Sequence, residues 1–164
     1  MKSCRKCSLN ICARLTNRQT MQRNIVLDTN CLLQIIARKN KNYFLWEGFL
    51  NGDYCLCYTT EILEEYEEIL CLKTNRLIAT IVLEIITQAP NTKRIDAHYH
   101  WNLITQDPDD NKFVDCAVFA NADFIVSDDK HFKELENIDF PRVLVILKSA
   151  TIIQYTIKGR FMSR

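Results

Sequence analysis

Short unbroken apolar runs alternate with longer stretches of helical period from Asn24 onward, and this alternation narrows the fold more than any other feature of the chain. The runs are NIVLD (24–28), YCLCYT (54–59), DFIVS (123–127) and RVLVIL (142–147). None shows the apolar–polar alternation of a half-exposed strand, so each is expected to be covered on both faces. Between them lie LLQIIARK, YFLWEGFL, ILEEYEEIL and RLIATIVLEII, the last stopped by Pro90. A helix after Pro108, a short one near 130–136 and a final one at 149–156 complete the series. Strands separated by helices imply an α/β protein with a parallel sheet and helices on both of its faces. In such sheets the functional crevice lies outside the carboxyl ends of the strands. Residues 91–106 have no clear period and are expected to be extended around HYHWNLI.

At 164 residues the chain suits one domain with a substantial core. A net charge of +1 excludes a strongly basic nucleic-acid coat but not a local basic rim beside an acidic centre. Of the eight cysteines, Cys31, Cys55, Cys57, Cys71 and Cys116 fall inside apolar strand or helix patterns, where cysteine behaves as a small hydrophobe. No stretch reads as a secretory leader, and no apolar run approaches the roughly 18 residues of a membrane span. A reduced, cytoplasmic protein is the expectation. Residues 1–22 are basic, without an acid or a period, and read as a disordered extension or a misassigned start ahead of Met21. Cys4, Cys7 and Cys12 contain one Cys-x-x-Cys half-site, but no second half-site follows, so a loose tail is preferred to a zinc site. The domain is expected to span 23–157, with a tail at 158–164.

Acids gather where the sheet would end. Asp28 closes the first strand, and Asp128 and Asp129 follow Ser127 at the end of another. Helix capping explains Asp28 as well as catalysis does. In DPDDNKFVDCAV, Asp107 reads as an N-cap with Pro108 at the first helical position. Asp110 lies on the arc of Phe113, Val114 and Ala117, the face that should meet the sheet, whereas Asp115 is turned about 140° away from it. Asp109, one position off, is a supporting candidate. In TEILEEYEEIL the apolar arc is Ile62, Leu63, Tyr66, Ile69 and Leu70. Glu61, Glu64 and Glu68 oppose it, while Glu65 and Glu67 flank it. Either flanking glutamate would reach a pocket beside the core, and the wheel does not choose between them. Asp28, one such glutamate, Asp110 and Asp129 would repel one another unless divalent cations lay among them. An all-oxygen set suits Mg²⁺ or Mn²⁺, one ion or two, and with them phosphodiester hydrolysis.

VLDTN (26–30), TTEILEEYEEIL (59–70), DPDDNKFVDCAVFANADFIVSDDKHF (107–132) and the closing RVLVIL resemble the PIN-domain family, in particular the VapC-like toxins of prokaryotic toxin–antitoxin systems. The resemblance covers nearly all of the chain from Asn24 to about residue 156. It implies a three-layer α/β/α fold with a central, mainly parallel sheet of about five strands. It places the catalytic and metal-binding acids at Asp28, Glu65, Asp110 and Asp129, so Glu65 is preferred to Glu67. Asn30 and Ser127 match positions that orient those carboxylates, and Asp109 and Asp128 stand beside them in support. The implied activity is metal-dependent cleavage of single-stranded RNA, leaving a 5′-phosphate and a 3′-hydroxyl. A homodimer and an inhibitory antitoxin protein are the implied partners. The N-terminal extension and residues 90–106 depart from the family pattern.

Some basic and aromatic residues are candidates for RNA contact. Lys130 and His131, next to the acids, are placed to meet a scissile phosphate. Arg38, Lys39 and Lys41, followed by Tyr43 and Trp46, read more simply as a solvated helix end over core aromatics. His98 and His100 read as surface or core-edge residues. A phosphoacceptor receiver needs an acidic pair after the first strand, and a haloacid-dehalogenase phosphatase needs a second aspartate at position 30; Asn30 stands there instead. The remaining alternative is a PIN-like module that binds protein or RNA without turnover.

Overall fold

The computed structural model describes residues 22–139, 141 and 144–147. The strands and helices run β1 (Arg23–Leu27), α1 (Thr29–Ile36), α2 (Tyr43–Leu50), β2 (Tyr54–Tyr58), α3 (Thr60–Lys73), α4 (Arg76–Gln88), β3 (Thr92–Arg94), α5 (Asn111–Ala120), β4 (Phe124–Ser127) and β5 (Val145–Leu147). Two 3₁₀ segments, Pro108–Asp110 and Lys130–Asn137, precede α5 and follow β4. The five strands are parallel and ordered β3-β2-β1-β4-β5. With right-handed crossovers, that order gives the three-layer α/β/α fold. The chain reverses direction across the sheet between β1 and β4. This switch point is where a doubly wound sheet opens its crevice.

The core follows from the apolar runs. Ile25, Val26, Leu27, Leu56, Cys57, Ile125 and Val126 are buried in the three inner strands. They meet Leu32 and Ile35 of α1, Ile62, Tyr66 and Leu70 of α3, and Phe113, Val114 and Ala117 of α5. Cys31, Cys55, Cys57 and Cys116 are buried and Cys71 is partly buried, none of them in a disulfide among the described residues, as their positions in apolar patterns indicated. Tyr66 also ties a helix to the sheet edge, its hydroxyl donating to the Leu27 carbonyl at 2.5 Å inside the core. Among the described residues no helix is long and apolar enough to cross a membrane.

Several boundaries differ from expectation for physical reasons. The helix expected directly after Pro108 begins as a 3₁₀ turn, and the α-helix starts only at Asn111. The short helix near 130–136 is 3₁₀ throughout. The first helix stops at Ile36, leaving Arg38, Lys39 and Lys41 exposed, while Trp46 packs in the core 5.4 Å from Phe49. An edge strand, β3, lies where no period was visible, because three residues on a sheet edge carry no buried pattern. HYHWNLI, expected to be extended, forms no strand and belongs to a loop running from Ile95 to Asp107. That loop is held by side chains: Asn111 bonds both the N–H and the carbonyl of Ile104, at 2.9 and 2.8 Å. The extension at 1–21 with Cys4, Cys7, Cys12 and Met21, the helix at 149–156 and the tail at 158–164 lie outside the described residues, as do Arg142 and Val143 of the last run.

Replacing Tyr66 with Phe leaves the buried Leu27 carbonyl without its partner. The expected loss is about 1–3 kcal/mol in urea unfolding, with the far-UV spectrum unchanged. An unaltered midpoint would show that this bond adds nothing.

Candidate metal centre

The carboxyl ends of β1 and β4 sit side by side at the switch point, and a single hydroxyl joins them. Ser127, fully buried, donates its Oγ–H to Asp28 Oδ2 at 2.9 Å. The same Oγ accepts the Asp129 N–H at 2.9 Å. Asp28 is only 4% exposed and caps α1 by accepting the Asn30 N–H at 3.3 Å. Capping and site formation are therefore not exclusive at Asp28. The contribution of Asn30 comes through its backbone, and its side chain is exposed. Asp129 in turn caps the following 3₁₀ segment through the His131 N–H, at 3.0 Å.

Glu65 approaches from α3. Thr29, the first residue of α1, donates its hydroxyl to Glu65 Oε1 at 2.5 Å. The Lys112 ammonium of α5 pairs with Glu65 Oε2. Glu67 is exposed, as are Glu61, Glu64 and Glu68; of the two flanking glutamates, Glu65 is the one that meets Thr29 and Lys112 and whose charge acts on Asp28. Sequence reasoning did not single out Thr29 or Lys112. A Thr directly after a strand-end acid, and a Lys two positions after Asp110, were the signals available.

Asp110 reaches the centre from the start of α5. Its side chain is 15% exposed and bonds the His131 ring nitrogen Nδ1 at 3.4 Å. Asp107 caps the 3₁₀ turn through the Asp109 N–H at 3.1 Å. The neighbouring acids separate cleanly. Asp109 is exposed. Asp128 turns toward α1, where its Oδ2 accepts from Gln34 Nε2 at 2.8 Å. Asp115 has partners of its own. Its side chain is buried and accepts from the Trp101 N–H while pairing with His100 Nδ1, both at 2.9 Å. His100 thus helps to fix the Ile95–Asp107 loop, and His98 lies edge-on to Phe119. Lys130 is exposed at the rim, whereas His131 turns inward among carboxylates.

The electrostatics show how closely the four acids share one space. Burial raises the Asp28 carboxyl above its ordinary value; bonds from Ser127 and Asn30 oppose this, and the charges of Glu65 and Asp129 add to it. Asp110 is pushed up to about 6, first by burial and then by Asp107 and Asp129, with His131 pulling it down and Asp28 raising it further. Asp28 feels Glu65 and Asp129, and Asp110 feels Asp129 and Asp28. Crowded carboxylates that hold protons above their usual range are short of positive charge. Their hard oxygen donors fit a divalent cation. An open groove of about 490 Å³ lies to one side, lined by Glu61, Glu64, Glu65, Glu68, His100 and Lys112. It touches the centre only at Glu65.

The described fold and a comparison by sequence pattern agree. A family model for the PIN domain matches residues 24–131. A chain in the crystal structure of VapBC2 from Rickettsia felis bound to a DNA fragment from their promoter superposes with a TM-score of 0.54 at 17% identity, over 76% of this chain and 98% of that one. At that identity the likeness speaks to the fold. Among curated proteins none matches the sequence significantly.

Without metal, folded Asp110 keeps its proton up to about pH 6, against an ordinary value of 3.8 in the open chain. Between those values the folded state binds more protons at Asp110 than the unfolded one, so this group's contribution to stability is fully present below pH 3.8 and is lost as pH rises through 6. Asp28, also raised, adds in the same direction. The Asp110 contribution is on the order of 2–3 kcal/mol. Thermal melts in EDTA across pH 4–7 should show this fall, flattened in Asp110→Asn. A parallel fall in the variant would assign it elsewhere.

Proposed function

The chain belongs to the PIN-domain family, and from that premise we propose that it is a metal-dependent endoribonuclease hydrolysing phosphodiester bonds of single-stranded RNA. The observation that carries this reading is the Asp28–Ser127–Asp129 junction, which holds two acids from different strands at the switch point. Asp28, Glu65, Asp110 and Asp129 would hold Mg²⁺ or Mn²⁺. When bound, such an ion neutralises charge on the phosphodiester and lowers the pKa of a coordinated water.

The chain's own groups do the positioning. Ser127 and the Asn30 N–H keep one Asp28 geometry against the repulsion of its neighbours. Thr29 and Lys112 hold Glu65 at the other side of the centre. Such anchoring limits the reorganisation needed when the substrate arrives. Lys130, exposed beside Asp129, supplies a positive charge at the rim for a phosphate.

We place the protein in a toxin–antitoxin system, with a small antitoxin protein as its partner, a homodimer as its working form and the cytoplasm as its compartment. Family membership and the fold shared with the VapBC2 chain support this assignment. We assign this activity to the segment 23–157.

The protein, freed of any partner, should cut labelled single-stranded RNA with Mn²⁺ or Mg²⁺ and stop on addition of EDTA. Asp28→Asn and Asp110→Asn should each lower the rate by roughly 100-fold or more, since several kcal/mol of charge stabilisation is lost. A folded, partner-free protein that cuts no RNA would instead be a binding module. Cleavage that survives both substitutions would place the activity at another site.

A further inference from the structure

His131 lies two residues past Asp129 and turns its ring back among the acids. Its Nδ1 is 3.2 Å from Asp129 Oδ1, 3.4 Å from Asp110 Oδ2 and 3.8 Å from Asp107 Oδ2. Asp107, Asp110 and His131 each offer one donor atom, and the three atoms lie within 4.8 Å of one another. Two donors bound to one ion at about 2.1 Å stand roughly 3.0 Å apart at right angles, 3.4 Å at the tetrahedral angle and 4.2 Å when opposite. The imidazole-to-carboxylate separations of 3.4 and 3.8 Å fall within that span.

The two segments that carry this trio are fastened together next to it. Glu134 accepts both the N–H and the hydroxyl of Thr105 on one oxygen, at 2.9 and 3.0 Å, so the 3₁₀ segment after β4 is tied to the loop that leads into Asp107. The His131 N–H is held by Asp129, and Phe132 beside it is fully buried against Phe113. The ring is therefore presented from a fixed backbone. The side chains of Asp107 and His131 remain 43% and 33% exposed, which leaves an open side for water or a phosphate oxygen.

We infer that Asp107, Asp110 and His131 form a cation subsite of mixed nitrogen and oxygen donors, taking a first-row transition ion such as Co²⁺ or Zn²⁺ in preference to Mg²⁺. A neutral imidazole nitrogen favours such ions, whereas Mg²⁺ prefers carboxylate and water. Asp110 is the shared element, lying between this subsite and Asp28. The subsite rests on the nuclease reading for the use made of the ion, not for its binding.

The test uses the full chain stripped of metal, titrated with Co²⁺ by its visible absorption and with Mg²⁺ by calorimetry. The wild type should bind Co²⁺ at least about tenfold more tightly than Mg²⁺. His131→Gln and Asp107→Asn should each weaken Co²⁺ by about tenfold or more and leave Mg²⁺ nearly unchanged. Melting in EDTA checks that both variants are folded. In the wild type, with no substitution at all, Zn²⁺ should shift the ¹⁵N resonances of the His131 ring. Co²⁺ binding as tight in His131→Gln as in the wild type, or no ring shift at saturating Zn²⁺, would overturn the subsite and leave His131 as a simple countercharge. His131-dependent Co²⁺ binding in a protein that cuts no RNA would uphold the subsite and remove the nuclease.

Discussion

Carboxylates gathered at one sheet edge repel each other, and the structure around the β1–β4 switch point is organised to hold them there despite it. The Ser127 hydroxyl is the pivot. It donates to Asp28 and accepts from the backbone of Asp129, so one buried oxygen sets the spacing of two acids that arrive on separate strands. Parallel pairing of β1 with β4 makes this possible by bringing Leu27 opposite Val126 and ending both strands at the same level. A slip of one residue in that pairing would turn Ser127 to the other face of the sheet and remove the bond.

The groups that offset the carboxylates are divided. The Lys112 ammonium pairs with Glu65, and the His131 ring nitrogen lies against Asp129, Asp110 and Asp107. Asp28, in the middle and most deeply buried, is held by neutral donors. Burial first, and then the neighbouring carboxylates, raise both Asp28 and Asp110 above their ordinary range. In the proposed reading, an ion supplied from solution offsets the charge that these hydrogen bonds leave uncompensated.

Rigidity extends into the least regular part of the chain. The Ile95–Asp107 loop has no repeating backbone bonds, yet Asp115, Asn111 and Glu134 each anchor it through backbone groups. Asp115 is committed to this loop. It satisfies the Trp101 N–H and pairs with His100. A buried carboxylate with two partners is stable where an unpaired one would not be. By anchoring the loop it also settles the entry to Asp107 and Asp110.

By itself, the sequence determined the order of the described elements apart from β3, and the sheet edge toward which the acids at strand ends would point. Both follow from local rules: apolar runs make covered strands, helical period makes buried faces, and acids at strand ends must come out on one edge. The PIN-family pattern of spacing added Glu65 and Ser127. Tertiary structure alone decided the rest. The strand order that sets β4 beside β1 depends on contacts about a hundred residues apart, which no local period encodes. A helical wheel gives a direction but not a neighbour, so it could not show Glu65 meeting Thr29 and Lys112, or Asp128 turning to Gln34. At Pro108–Asp110 the turn is 3₁₀, with three residues per turn instead of 3.6, so the wheel's phase does not carry through it. Asp107 and His131, read as a cap and a phosphate contact, face each other only because the chain folds two distant turns onto one edge.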